Sequence, residues 1–228
     1  MSMATLVARQ GRHRQLYKDN RRLVSGCIPY RFKDGHDDKE TSLEHIEVAM
    51  ITSPGRHDLV FPKGGWENDE TVHEAACREA YEEAGLRGEL HPTELGVWEF
   101  RSKSRQAIST LEGGCRGYMY ALRVTEELDT WPEQATHDRK WLNIREAFDL
   151  CRYDWMRDAL KSFLQHMKSI RQQKNNQKDW TLSVDTNKED PTNHQQLTFH
   201  DPSFSKTFVT GSLNMREITI TVQIKELV

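Results

Sequence analysis

No stretch of this chain approaches the roughly 18 consecutive apolar residues that a membrane-spanning helix needs, so none is expected. Cysteine is scarce. The four residues Cys27, Cys77, Cys115 and Cys151 are widely spaced and form no Cys-x-x-Cys pair. That pattern argues against a disulfide framework and against a structural zinc site. It fits reduced, mostly buried thiols in a cytosol-like compartment. An excess of one charge is missing too. The 32 basic residues face 35 acidic ones, for a net charge of -3, which excludes a globally basic nucleic-acid binder. Apolar residues make up only 36%, against roughly 45–50% in ordinary globular chains, so a core requires them to be concentrated. Met1–Val7 is weakly apolar, too short for a secretory core, and followed by Arg9, Arg12 and Arg14, so secretion is not expected. There is no internal repeat.

The apolar residues are concentrated between Leu23 and about Leu164. Arg22–Arg31, Ile46–Thr52, Asp58–Pro62, Leu95–Phe100 and Gly117–Val124 read as strands, with Asp34–Thr41 as a charged loop. Thr71–Ala84 runs without glycine or proline and stops at Gly85, which suits a left-handed helix end. Asn68 or Asp69 can cap its start, and Glu70 suits the positive end of the helix dipole. A second helix, Trp155 to about Ile170, places Met156, Ala159, Leu160, Phe163, Leu164 and Met167 on one face. A shorter one spans Ile144–Cys151. Arg171–Lys178 is polar and of low complexity, and the residues beyond it are rich in Ser, Thr, Asn, Asp and Gln. The expected organisation is therefore a domain over residues 1–168, including a basic arm over 1–22. A polar, largely disordered tail is expected over 169–228. Within that tail, Ile218–Ile224 alternates like a strand.

One segment carries most of the chemistry. Glu79, Glu82 and Glu83 lie three and one residues apart, within an arc of about 100° on a helix. Carboxylates that close repel one another, and hard divalent cations such as Mg²⁺ or Mn²⁺ relieve the repulsion. Arg78 can clamp a neighbouring carboxylate bidentately. A lone surface glutamate usually faces water. The full pattern is much more specific: Gly64, five residues, Glu70, seven residues, then Arg78-Glu79-x-x-Glu82-Glu83-x-Gly85-Leu86. This box resembles that of the Nudix hydrolases, with every fixed position present. The resemblance implies an α/β fold, an α/β/α sandwich around a central mixed β-sheet, with the box forming a loop–helix–loop. It also implies Mg²⁺- or Mn²⁺-dependent hydrolysis of a diphosphate linked to another moiety. In the roles it implies, Glu79 and Glu83 ligate the metal. Glu82 is the general base or water positioner and can share ligation. Glu70 binds Arg78, or a metal through water. A carbonyl of Gly64 or Lys63 is a further ligand.

Flanking stretches resemble the diphosphoinositol polyphosphate phosphohydrolases, particularly the plant branch. They are Asn20–Arg31, Arg56–Glu67, Gly96–Lys103 and Trp131–Trp141. Lys63 stands where the animal enzymes have the first glycine of a Gly-Gly-Gly run, and the Ser102–Cys115 loop is longer. The resemblance implies Arg12, Arg21, Arg22, Ser53, Arg56, Lys63, Arg101, Lys103, Arg116 and Arg139 as substrate contacts. Charge argues in the same direction, because a compact polyanion of about a dozen charges needs an arginine-rich cradle. The runner-up substrate is a diadenosine penta- or hexaphosphate, which would call for an aromatic sandwich around adenine. A non-catalytic ligand-binding module is the third reading, disfavoured because no box glutamate is lost. The expected partner is a small polyanionic substrate, with no membrane, no specific nucleic acid and a monomeric chain. Cytoplasm and nucleus are the expected location. The alternative is the mitochondrion, since the basic Ser/Thr/Ala-containing start resembles a presequence.

Overall fold

The computed structural model describes residues 7–9, 11–33, 45–53, 56–101, 114–178, 195–199, 208–214 and 219–225. The chain forms two compact units, Met1–Met167 and Lys168–Val228. In chain order the first unit holds β1 (Tyr17–Lys18), β2 (Arg21–Phe32), β3 (Ile46–Ile51), β4 (Lys63–Gly65), α1 (Val72–Ala84), β5 (Leu86–Leu90), β6 (Gly96–Phe100), β7 (Cys115–Glu127), β8 (Arg139–Asn143) and α2 (Ile144–Leu150). Helix α3 (Asp154–Lys178) begins in this unit.

Strand β2 organises the sheet. Residues Leu23–Tyr30 are buried on both faces, which is why the segment reads as a continuous apolar run. It pairs in parallel with β7 and antiparallel with β1, β3 and β4, and the main order is β5-β7-β2-β3-β8. The sheet is thus mixed. Asp19 and Asn20 both take positive φ, 51° and 57°, and make the two-residue turn that leads into Arg21 and Arg22.

Alternate strand residues point to opposite faces. On one face Cys27, Tyr120 and Leu122 pack against Ala76 and Ala80 of α1, whose small side chains let the helix sit close. On the other, Tyr30 lies 5.3 Å from Phe163 of α3, and Phe100 stacks on Trp155 at 4.6 Å. The result is the layered α/β architecture expected from the resemblance. Among the described residues, no helix is long and apolar enough to cross a membrane.

Several boundaries differ from the sequence reading. Asp58–Pro62 is not a strand. Leu59 and Val60 make only isolated bridges, and the strand is the glycine-containing β4, which the alternation rule does not register. Strands β5 and β8 are unmarked by periodicity. Helix α3 runs on to Lys178, through Arg, Gln and Lys residues that are good helix formers. The second unit covers the tail expected over 169–228. Its described residues include β9 (Gln195–Phe199), β10 (Phe208–Asn214) and β11 (Thr219–Lys225), an antiparallel sheet ordered β11-β10-β9. One strand-like segment alone says little. Three that satisfy each other's backbone groups make a sheet. The Asp34–Thr41 loop lies outside the described residues.

Candidate active site

Helix α1 is closed at both ends by identifiable groups. Thr71 is the N-cap. Its Oγ1 accepts the Glu74 N–H at 3.2 Å, and the Glu74 carboxylate accepts the Thr71 N–H at 2.7 Å. This reciprocal pair corrects the expected Asn68 or Asp69 cap, and Thr71-x-x-Glu74 is its sequence mark. Gly85 ends the helix at φ 64°, with its N–H shared by the Ala80 and Tyr81 carbonyls. The last carbonyls are satisfied by the segment after β7. Glu133 N–H donates to Glu82 O at 3.0 Å, Trp131 Nε1 to Glu83 O at 3.1 Å, and Arg139 Nη1 to Ala84 O at 2.7 Å.

Two of the three clustered glutamates, Glu79 and Glu83, face the glycine strand. The Glu83 carboxylate accepts the Lys63 N–H at 2.8 Å. A Cβ on Gly64 would stand 2.2 Å from the Glu79 carboxylate, so only glycine permits the approach. Among the described residues the buried polar or charged ones are Ser25, Glu79 and Glu82. Ser25 is satisfied by donating to Val72 O at 2.6 Å. Glu79 is pushed up to about 8 by burial and then by the negative charge of Glu83, partly offset by Arg78. Glu83 is raised as well, mainly by burial and against the pull of Lys63. Buried carboxylates raised in this way are waiting for positive charge.

Arg78 supplies part of it. Its Nε and Nη2 donate to the two oxygens of Glu70, at 2.9 and 2.8 Å, and Nη2 also reaches Gly65 O at 2.8 Å. Nη1 bridges Glu79 at 2.7 Å and Glu82 at 3.1 Å. Burial opposes the guanidinium charge, but the bonds to Glu70 and Glu79 outweigh that and raise its affinity for the proton. Glu70 also accepts the Glu67 N–H at 3.1 Å, so one Glu70–Arg78 clamp fixes the loop to the helix. The donor chemistry fits a hard divalent cation: all-oxygen, anionic, partly buried and held beside backbone.

The residues expected to touch substrate fall into separate groups. Glu99 joins Arg21 at 3.0 Å and Arg116 at 3.0 Å. Arg21 and Arg101 line a concavity of about 680 Å³ together with Phe100, Cys115, Arg152 and Trp155. The box glutamates do not line it. Arg22 donates to Gln15 at 2.6 Å, next to Gly65. Arg12 is exposed on the arm, and the Arg56 N–H donates to Ser53 O at 3.2 Å beside the Thr52–Asp138 pairing. Lys103 lies outside the described residues. Arg139 holds helix carbonyls, an ion pair to Glu127 at 2.8 Å, and the face of Trp131, so its guanidinium is committed to the fold.

Sequence reasoning missed two features. The Arg9 N–H donates to Glu82 at 3.1 Å while its guanidinium binds Glu67 at 2.8 Å and Asp69 at 3.0 Å. Glu133 and His137 lie beside Glu83. Neither feature has a local pattern, because both depend on segments far apart in the chain.

A mixed sheet backed by a loop–helix–loop, with an arginine-braced set of carboxylates beside a glycine strand, defines a layered α/β protein with a candidate site for a divalent cation. Similarity to known proteins gives the class its family. The NUDIX domain family model matches residues 44–166. The chain is 56% identical over 173 residues to "Nudix hydrolase 12, mitochondrial" of Arabidopsis thaliana, covering 74% of this chain and 85% of that one. It is 35% identical over 109 residues to "Diphosphoinositol polyphosphate phosphohydrolase 2" of Mus musculus, covering 46% and 55%. A solved C. elegans Ap4A hydrolase binary complex aligns over 64% of this chain and 98% of that one, with TM-score 0.48 and 19% identity. The chain belongs to the Nudix family and is a Nudix hydrolase.

Proposed function

We propose that this hydrolase removes the β-phosphate of diphosphoinositol polyphosphates, releasing inorganic phosphate, in a reaction that depends on Mg²⁺ or Mn²⁺. The observation that carries the reaction type is the carboxylate cluster in which Glu83 meets Lys63 N, Glu79 meets Gly64, and the buried Glu82 lies beside them on the Arg78 guanidinium. What supports the substrate class is the grouping of Arg21, Arg101 and Arg116 at one end of the sheet, together with the name of the mouse relative. A dense polyanion matches guanidinium groups better than it matches an apolar slot.

In this reading Glu79 and Glu83 hold the cation, with a carbonyl of Lys63 or Gly64 as a further ligand. When bound, the cation supplies neutralising charge at the diphosphate oxygens. Glu82 takes the proton of the attacking water, as its position between the Arg78 and Arg9 donors fixes its carboxylate. Water attacks the β-phosphorus in line. The bond from that phosphorus to the bridging oxygen breaks, and the inositol phosphate leaves with the bridging oxygen. The clamp of Glu70 and Arg78 keeps the loop in register, and the arginines orient the ring phosphates. The catalytic unit in this reading is residues 1–168. The Arabidopsis relative carries "mitochondrial" in its name, which supports the mitochondrion as the location, the alternative to cytoplasm and nucleus.

The test is phosphate release from a diphosphoinositol polyphosphate and from diadenosine hexaphosphate, with Mg²⁺ present. Arg21→Ala combined with Arg22→Ala should raise KM for the inositol substrate about tenfold or more, since charge-assisted contacts are lost. KM for the dinucleotide should move much less. Equal effects on both would sink the inositol assignment.

A further inference from the structure

The carbonyls at the end of α1 draw in the segment from Trp131 to Arg139, and this docking brings Glu133 and His137 against Glu83. One ligand atom from each of Glu83, Glu133 and His137 lies within 4.8 Å of the other two. The His137 ring is oriented from behind: Nδ1 lies 2.7 Å from Thr52 O. A carbonyl oxygen only accepts, so Nδ1 carries the proton in that bond. Nε2 is left facing the Glu133 carboxylate at 3.3 Å. Nε2 and the two carboxylates thus present three ligand atoms to one another.

Neighbouring ligands of one octahedral ion with bonds near 2.1 Å are about 3 Å apart, and opposite ones about 4.2 Å. The 3.3 Å spacing of His137 Nε2 and Glu133 falls in that range, and all three ligand atoms lie within 4.8 Å of one another. An imidazole whose far nitrogen donates to a backbone carbonyl is also the usual arrangement of a metal-binding histidine.

We propose that Glu83, Glu133 and His137 form a binding site for a first-row transition dication, adjoining the box glutamates and sharing Glu83 with them. The nitrogen donor makes it favour Mn²⁺ over Mg²⁺, because Mg²⁺ takes oxygen ligands and imidazole suits the transition metals. The proposal rests on the reading of Glu83 as a cation ligand, but its test is separate from the test of that reading.

The probe is Mn²⁺ alone on the full chain, read by pulsed electron paramagnetic resonance. Wild type at saturating Mn²⁺ should show nitrogen-14 modulation from a coordinated imidazole. His137→Asn should lose it, since the asparagine amide can keep the bond to Thr52 O while the second nitrogen is gone. Glu133→Gln should weaken binding of this Mn²⁺ about tenfold or more, while calorimetric uptake of Mg²⁺ changes less than about twofold. Absence of nitrogen modulation in wild type, or the same modulation in His137→Asn, overturns the site. Normal Mg²⁺ uptake alongside either result leaves the box reading standing and removes only this one. Loss of uptake of both metals removes both.

Discussion

Replacing Glu79 by glutamine should stabilise the metal-free protein at alkaline pH while abolishing activity. Glu79 is 7% exposed and its carboxyl is held at about 8 rather than at the ordinary 4.5. The folded state therefore keeps a proton that the unfolded chain releases. Stability is full below about pH 4.5, falls as the pH rises, and levels off above about 8. A carboxyl displaced that far costs on the order of 4–5 kcal/mol at most, and sharing of the proton with Glu83 makes about 2–4 kcal/mol the working figure. For a chain of this size that is a fall in Tm of about 5–15 °C between pH 5 and pH 9. Glutamine presents the same oxygen to Arg78 without the charge, so the variant should show little of this fall. Mg²⁺ should restore the wild type at pH 9, where the cation replaces the proton, and do little at pH 5. The assay is a series of thermal melts across pH, with chelator and with Mg²⁺. A wild-type Tm that is flat or rising from pH 5 to pH 9 in chelator would refute the reasoning, as would an identical slope in Glu79→Gln.

Three more outcomes rest on particular contacts. Gly64→Ala should lose most cation uptake in a Mg²⁺ titration, because the new Cβ would stand 2.2 Å from the Glu79 carboxylate and displace it. Arg78→Lys keeps the charge but loses the fork onto Glu70 and the bond to Gly65 O, and should cost about 2–3 kcal/mol in urea unfolding. Arg139→Ala should cost about 2 kcal/mol in the same assay, through the uncapped carbonyls of α1, and leave KM unchanged. A raised KM with unaltered stability would return Arg139 to the substrate site.

The box was legible because its spacing is local. Three glutamates within one helical arc, an arginine one residue before them and a glycine at the helix end need no tertiary information to be read. The core strands β2, β3 and β7 were legible for a similar reason, as apolar runs long enough to be buried. Strand β4 was not, since Lys63-Gly-Gly65 has no alternation and is held by pairing with β2. The Thr71–Glu74 box was present in the sequence and was outweighed by the more familiar capping residues just before it. The contacts of Arg139, Arg9, Glu133 and His137 could not be read, because each includes a partner more than 40 residues away. A surface-type arginine at a family position looks the same in sequence whether it faces a phosphate or a helix end.

The most direct measurement is calorimetric titration of Mg²⁺ into the metal-free chain at neutral pH, with Glu79→Gln and Glu83→Gln alongside. The account predicts uptake in the millimolar range or tighter by wild type, accompanied by proton release, and none by either variant. Uptake that survives both substitutions, or no uptake by wild type, would contradict it.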